Sequence, residues 1–197
     1  DPKSATAAAN GAAGSPGDAS DASSAGAAAA KAPARAKRVT KPAPAAAPEP
    51  APTPGGANLI HVYADGACSG NPGPAGLGVV VLDGDSRIEL SEYLGHGTNN
   101  IAELTAILRA LVETADAERP LLIHTDSSYS IGVLQKGWKA KANQELIARL
   151  REVLRGRPGT RLVYVPGHAG VLWNERADAL ARDAVTSRKN ARHVVPR

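Results

Sequence analysis

From Leu59 onward the chain alternates between apolar and polar positions with two different periods, and the changes of period mark out the elements. Five short alternating or continuous apolar runs read as strands: Leu59 to Ala64, Gly78 to Leu82, Arg87 to Leu94, Leu121 to Thr125 and Arg161 to Val165. The first three leave no room for a helix between them, so an antiparallel meander is expected. Ile101, Leu104, Leu108, Leu111 and Val112 recur on one helical face, which predicts a helix over Ile101 to Ala115. A second helix should follow Asp126, a third should cover about Gln144 to Leu154, and a last one Glu175 to Thr186 with Ala177, Leu180, Ala181 and Ala184 inward. Strands four and five each follow a helix, which favours parallel placement. The predicted class is therefore α/β: a five-stranded mixed sheet, its first three strands antiparallel, flanked by helices.

Composition sets the limits of that domain. Residues 1–57 are rich in Ala and Pro, hold no aromatic residue, and cannot bury enough apolar surface to offset roughly 1 to 2 kcal/mol per residue of backbone ordering. They are expected to form a disordered tail, with Lys31, Arg35, Lys37, Arg38 and Lys41 spread along an extended, Pro-rich spacer whose partner is not legible. The ordered domain is expected over 58–187, and 188–197 reads as a short basic tail.

The formal net charge of +4 points to nucleic acid, but its distribution weakens the inference. Between residues 58 and 187 there are 13 basic and 15 acidic side chains, so the excess lies in the tails and any phosphate-binding surface must be local. Cations gather between Lys136 and Arg161. A single cysteine, Cys68, excludes an internal disulfide and a multi-cysteine zinc site, and fits a reducing, cytoplasmic setting. No run approaches the about 18 apolar residues of a membrane helix, so no membrane association is expected.

Four acids carry the candidate chemistry, and each has a plain local explanation. Asp65 sits in an Asp-Gly pair, ordinary in turns. Glu103 lies three residues after Asn100, the spacing of a capping box. Asp126 stands at a strand-to-helix junction and could be an N-cap. Asp178 falls in the first turn of the last expected helix, where a carboxylate interacts favourably with the helix dipole.

Their neighbours change the weighing. The segments Tyr63-Ala-Asp-Gly-Ala-Cys-Ser-Gly-Asn-Pro-Gly73, Thr98-Asn-Asn-Ile-Ala-Glu-Leu104, His124-Thr-Asp-Ser127, Val165-Pro-Gly-His-Ala-Gly170 and Asn174-Glu-Arg-Ala-Asp-Ala-Leu-Ala181 together resemble ribonuclease H type 1, across the whole expected domain and in the family's order. The resemblance implies a ribonuclease H-like fold and hydrolysis of the RNA strand of an RNA/DNA hybrid, leaving 5′-phosphate and 3′-hydroxyl ends. It maps Asp65, Glu103, Asp126 and Asp178 onto the catalytic, metal-holding carboxylates and His168 onto the histidine of a mobile loop.

Four converging acids need a cation, because two carboxylates about 4 Å apart repel by roughly 4 kcal/mol at an effective dielectric of 20. All-oxygen ligation suits Mg²⁺, with Mn²⁺ as a substitute, and an in-line displacement at phosphorus uses two such ions. Asp65 and Asp126 are expected to form the shared platform, with Glu103 and Asp178 completing its two sides. His168, in a loop flanked by Gly167 and Gly170, is expected to shuttle protons or assist product release rather than to bind metal.

For the substrate, the resemblance implies Gly66, Asn71, Asn100, Ser127 and Asn174 around the cleavage site, where the 2′-hydroxyl distinguishes RNA from DNA. The stretch Gly132 to Asn143 is short and resembles family members without a basic protrusion. Lys136, Trp138, Lys139 and Lys141 are still expected to touch the DNA strand, though Trp138 reads equally well as packing for the following helix. A monomer is expected. The rival readings are a binding module of the same fold that does not cut, which the retained acids oppose, and a DNA-cutting enzyme, which the Gly-Asn-Pro-Gly and Gly-His-Ala-Gly segments oppose.

Overall fold

The computed structural model describes residues 59–196. The expected tail over 1–57 lies outside the described residues, as does Arg197. The chain runs β1 (Ile60–Cys68), β2 (Gly73–Asp83), β3 (Ser86–Gly97), α1 (Asn99–Glu113), β4 (Leu121–Thr125), α2 (Ser128–Leu134), α3 (Gln144–Arg155), β5 (Arg161–Tyr164), α4 (Leu172–Ser187) and β6 (Ala191–Pro196). The strands form one sheet in the order β5-β4-β1-β2-β3-β6. The β1–β2 and β2–β3 pairs are antiparallel, and the β1–β4 and β4–β5 pairs are parallel, as the order of elements predicts.

The sheet has six strands rather than five. Ala191–Pro196, expected to belong to a basic tail, pairs antiparallel with β3, from Ser86 opposite Pro196 to Ser91 opposite Ala191. The reason the sequence hides this strand is that backbone hydrogen bonds hold it, while most of its side chains stay exposed and carry no core pattern. The Asn190 side chain adds a 2.8 Å bond from the Tyr93 N–H at the turn into it.

The alternation of β1 and β2 divides the core between the two faces of the sheet. Ile60, Val62 and Ala64 of β1 and Leu77, Val79 and Val81 of β2 pack with Leu104, Ile107, Leu108 and Leu111 of α1. Tyr63, Val80 and Leu82 on the opposite face meet Ala177 and Leu180 of α4. A side chain at Gly78 would run into the backbone of Ala177, so glycine in β2 lets α4 lie close to the sheet. Val112, expected on the inward face of α1, is 47% exposed because it falls at the edge of the apolar stripe. No helix among the described residues is long and apolar enough to cross a membrane.

Candidate active site

Parallel pairing of β1 with β4 explains why two acids meet. Tyr63 lies opposite His124, so Asp65 and Asp126, each two residues further on, emerge side by side at the same end of the sheet. Glu103 arrives from α1, whose N-terminus packs under β1. Thr98 is the N-cap, its hydroxyl accepting from the Ile101 N–H at 3.3 Å. Asn100 is thus not the cap of its helix, and Glu103 does not close a capping box. It turns inward, is 6% exposed, and accepts from the Asn99 side chain at 3.3 Å. Carboxylate oxygens of Asp65, Glu103 and Asp126 all lie within 4.8 Å of one another.

Asp178 stands to one side of this group. Helix α4 begins at Leu172, earlier than the expected Glu175, so Asp178 sits in its second turn and the first-turn dipole explanation falls away. Glu175 occupies the first turn and accepts from the Gly170 N–H at 2.9 Å. The Asp178 Oδ2 is 2.7 Å from Arg182 Nη2, one turn further along the helix. Its charge nevertheless reaches Asp65.

The protonation of the group follows from its burial. Asp65 is pushed up to about 7, first by burial, then by the charge of Asp126, with the Gly66 amide pulling the other way through a 2.9 Å bond to Oδ1. Glu103 is pushed up to about 9, again first by burial and then by Asp65 and Asp126. Its Oε2 is buried and has no hydrogen-bond partner, an arrangement that is costly unless something else satisfies the oxygen. A close-set trio of carboxylates, one oxygen orphaned, is the donor set a hard divalent cation takes, so the residues fit such an ion.

Beneath the acids, Tyr63 and His124 stack with centroids 4.4 Å apart, and His61 Nδ1 lies 3.2 Å from His124 Nε2. Burial first, then the neighbouring His61, pushes His124 down to about 4. The imidazole therefore stays neutral near pH 7 and adds no positive charge to the floor of the site.

The loop after β5 closes the other side. A side chain at Gly167 would collide with the Asp126 carboxylate, so glycine allows this loop's backbone to press against the acid. The next residue, His168, is exposed and takes a left-handed backbone with φ of 53°. That conformation is uncommon for any residue other than glycine and turns up disproportionately at functional loops.

The chain matches the ribonuclease H family over residues 57–186. It belongs to the ribonuclease H family. The ribonuclease H of Syntrophomonas wolfei is 38% identical over 142 residues, which are 65% of this chain and 97% of that protein. The ribonuclease HI of Caulobacter vibrioides is 38% identical over 139 residues, 64% of this chain and 92% of that protein. Among solved structures, ribonuclease H1 of Halobacterium salinarum aligns at TM-score 0.58 and 34% identity over 66% of this chain and 98% of its own. The compost-derived LC11 ribonuclease H1, solved in complex with an RNA/DNA hybrid, aligns at TM-score 0.59 and 32% identity, with 66% and 98% covered.

The expected substrate residues of this ribonuclease H divide by exposure. Asn71, Asn100, Lys136, Trp138, Lys139 and Lys141 are exposed. Asn71 Oδ1 accepts from the Asn99 N–H at 3.1 Å, tying the loop between β1 and β2 to the start of α1. Ser127 and Asn174, expected at the substrate, are buried instead. Ser127 is the N-cap of α2, accepting from the Ser130 N–H at 3.2 Å, and Asn174 is 2% exposed inside the first turn of α4. Gly66 lies against α1 and holds Asp65 through its amide. The indole of Trp138 packs over Gly132 of α2, the helix before it rather than the one after, and the residue remains 50% exposed. It borders a cavity of about 420 Å³ shared with Lys139, Gln144, Ile147 and Arg151. Sequence reasoning missed Arg182, although its position four residues after Asp178 is the spacing at which helical side chains pair.

Proposed function

We propose that this ribonuclease H family member is an endonuclease that hydrolyses the RNA strand of RNA/DNA hybrids, leaving 5′-phosphate and 3′-hydroxyl ends. The observation that carries the reading is the trio of Asp65, Glu103 and Asp126 at adjoining strand and helix ends, one of its oxygens buried without a partner. Support for the substrate class comes from the LC11 relative, solved with an RNA/DNA hybrid.

Asp65 and Asp126 form the shared platform for divalent ions, with Glu103 on one side and Asp178 on the other. When bound, a pair of Mg²⁺ ions, or Mn²⁺ in their place, supplies the charge that activates water and eases departure of the leaving oxygen during in-line displacement. The chain's own contribution is to place and orient. Burial of Asp65 and Glu103 keeps bulk water from diluting the field at the scissile phosphate. Asn71, Asn100 and the backbone around Gly66 face the shallow groove, where the 2′-hydroxyl marks the RNA strand. Ser127 acts from within, by capping α2. Lys136, Lys139 and Lys141 pair with phosphates of the DNA strand while the open face of Trp138 stacks against it. One copy carries all of these groups, so a monomer suffices, and the single cysteine accords with a cytoplasmic setting.

Incubation with Mg²⁺ and labelled RNA/DNA, RNA/RNA and DNA/DNA duplexes tests the reading. Cleavage confined to the RNA strand of the hybrid is expected; cutting of DNA/DNA, or binding of the hybrid without any cutting, would reject it.

His168 moves protons to and from water at the rim rather than holding metal. A His168→Ala variant is expected to turn over about 100-fold more slowly, at the low end of the range for a positioned proton-transfer group, with unchanged affinity for Mn²⁺. Calorimetry and steady-state rates on the same preparation separate the two quantities, and an undiminished kcat would remove the histidine from the reaction.

A further inference from the structure

The trio of Asp65, Glu103 and Asp126 excludes Asp178, whose carboxylate is already engaged by Arg182 at 2.7 Å. The two partners differ in their freedom. The Asp178 side chain is 16% exposed, whereas that of Arg182 is 63% exposed on a long flexible stem. Helix α4 is held close to β2 where Ala177 and Ala181 meet Gly78, so bringing Asp178 to the trio takes a turn of its side chain rather than a shift of the helix. Such a turn breaks the ion pair. Asp65 pairs with Gly78 of β2, the glycine on which Ala177 and Ala181 rest, so the Asp178–Arg182 pair on the same stretch of α4 borders the trio.

We propose that Arg182 is the internal counter-ion of Asp178 and competes with divalent ions for it, so that this arginine sets how tightly the Asp178 side of the site takes its metal. The inference rests on the reading of Asp178 as the fourth metal-holding carboxylate. Arg182 acts through Asp178 and is a positioning residue. In the metal-free chain it offsets the negative charge of Asp178 and holds that carboxylate against the guanidinium. When a cation arrives, an exposed guanidinium is displaced into water at little cost, because an ion pair this open to solvent is weak. Lysine at the same position would pair as a point charge without the guanidinium's fork, and should compete less well.

Calorimetric titration of Mn²⁺ into the metal-free full chain tests this, using the parent, Arg182→Gln, Arg182→Lys, Asp178→Asn and the Asp178→Asn/Arg182→Gln double variant. Arg182→Gln is expected to bind about three- to fivefold more tightly than the parent, the change that loss of a competing pair of this strength gives. Arg182→Lys should fall between them. In the Asp178→Asn background the gain should vanish, because a guanidinium that merely repels cations would act there too. An affinity unaltered by Arg182→Gln, or the same gain in both backgrounds, overturns the competition. If Asp178→Asn alone binds Mn²⁺ as the parent does, the fourth-ligand reading fails and takes the inference with it, so the two failures are told apart.

Discussion

An Asp126→Asn variant is expected to fold as the parent does and to lose cleavage of the hybrid by about a thousandfold or more. The substitution keeps the shape of the side chain and removes one negative charge. It does so at the end of β4, beside Asp65 and within the 4.8 Å group that includes Glu103. If the trio stabilises the transition state by holding cations, losing a shared ligand forfeits about 4 kcal/mol, and each 1.36 kcal/mol is a factor of ten in rate. A surface ion pair or helix cap would cost no more than a few tenths to about 2 kcal/mol and would appear as lost stability instead. The N-cap of α2 is Ser127, so the capping alternative for Asp126 does not predict even that much. Single-turnover rates at saturating Mg²⁺ together with thermal denaturation decide the matter. Parental turnover in this variant would remove the acids from the chemistry. The substitution has a second consequence, since the charge of Asp126 raises both Asp65 and Glu103; each should release its proton at lower pH in the variant.

The pattern of the chain revealed elements wherever side chains are buried, and hid them wherever the backbone does the holding. The meander, α1 and α4 are written in apolar spacing, because their inward faces form the two layers of core on either side of the sheet. Gly73 to Leu77, by contrast, belongs to β2 although Gly, Pro and Ala there show little strand preference; pairing with Ala67 and Cys68 of β1 and with β3 makes the strand. The same holds for β6, whose Arg192 and His193 read as tail chemistry but extend the sheet along β3. For the site, spacing alone could not say that Asp65 and Asp126 converge. That follows from the parallel register of β1 against β4, a long-range fact that only the family motifs anticipated. Nor could spacing reveal which oxygen lacks a partner, since the orphaned Glu103 Oε2 depends on how α1 enters beneath β1.

In the absence of divalent ions the parent should lose stability as pH rises from 5 to 9, and a Glu103→Gln variant should lose much less. Glu103 is raised from an ordinary 4.5 to about 9 and Asp65 from 3.8 to about 7, both chiefly by burial and the neighbouring negative charges. A folded carboxyl that holds its proton more tightly than the unfolded one favours folding at low pH. That contribution is complete below about 4, where both states are protonated, and disappears as pH climbs through about 7 for Asp65 and about 9 for Glu103. Glutamine has nothing to titrate, keeps an oxygen to accept from Asn99, and takes one charge from the cluster. Measured with a chelator present, Glu103→Gln should therefore match the parent near pH 5 and exceed it near pH 9 by roughly 1 to 3 kcal/mol, a rise in Tm on the order of 5 °C. Mg²⁺ should reverse the ranking, because an ion that binds the folded parent stabilises it, and a variant that has lost a ligand gains less. Thermal melts across this pH range, with chelator and with Mg²⁺, give four curves that must cross. A parent whose Tm in chelator stays flat from pH 5 to 9 would show that the acids carry no mutual strain, and with it the reason for a cation at this site would be lost.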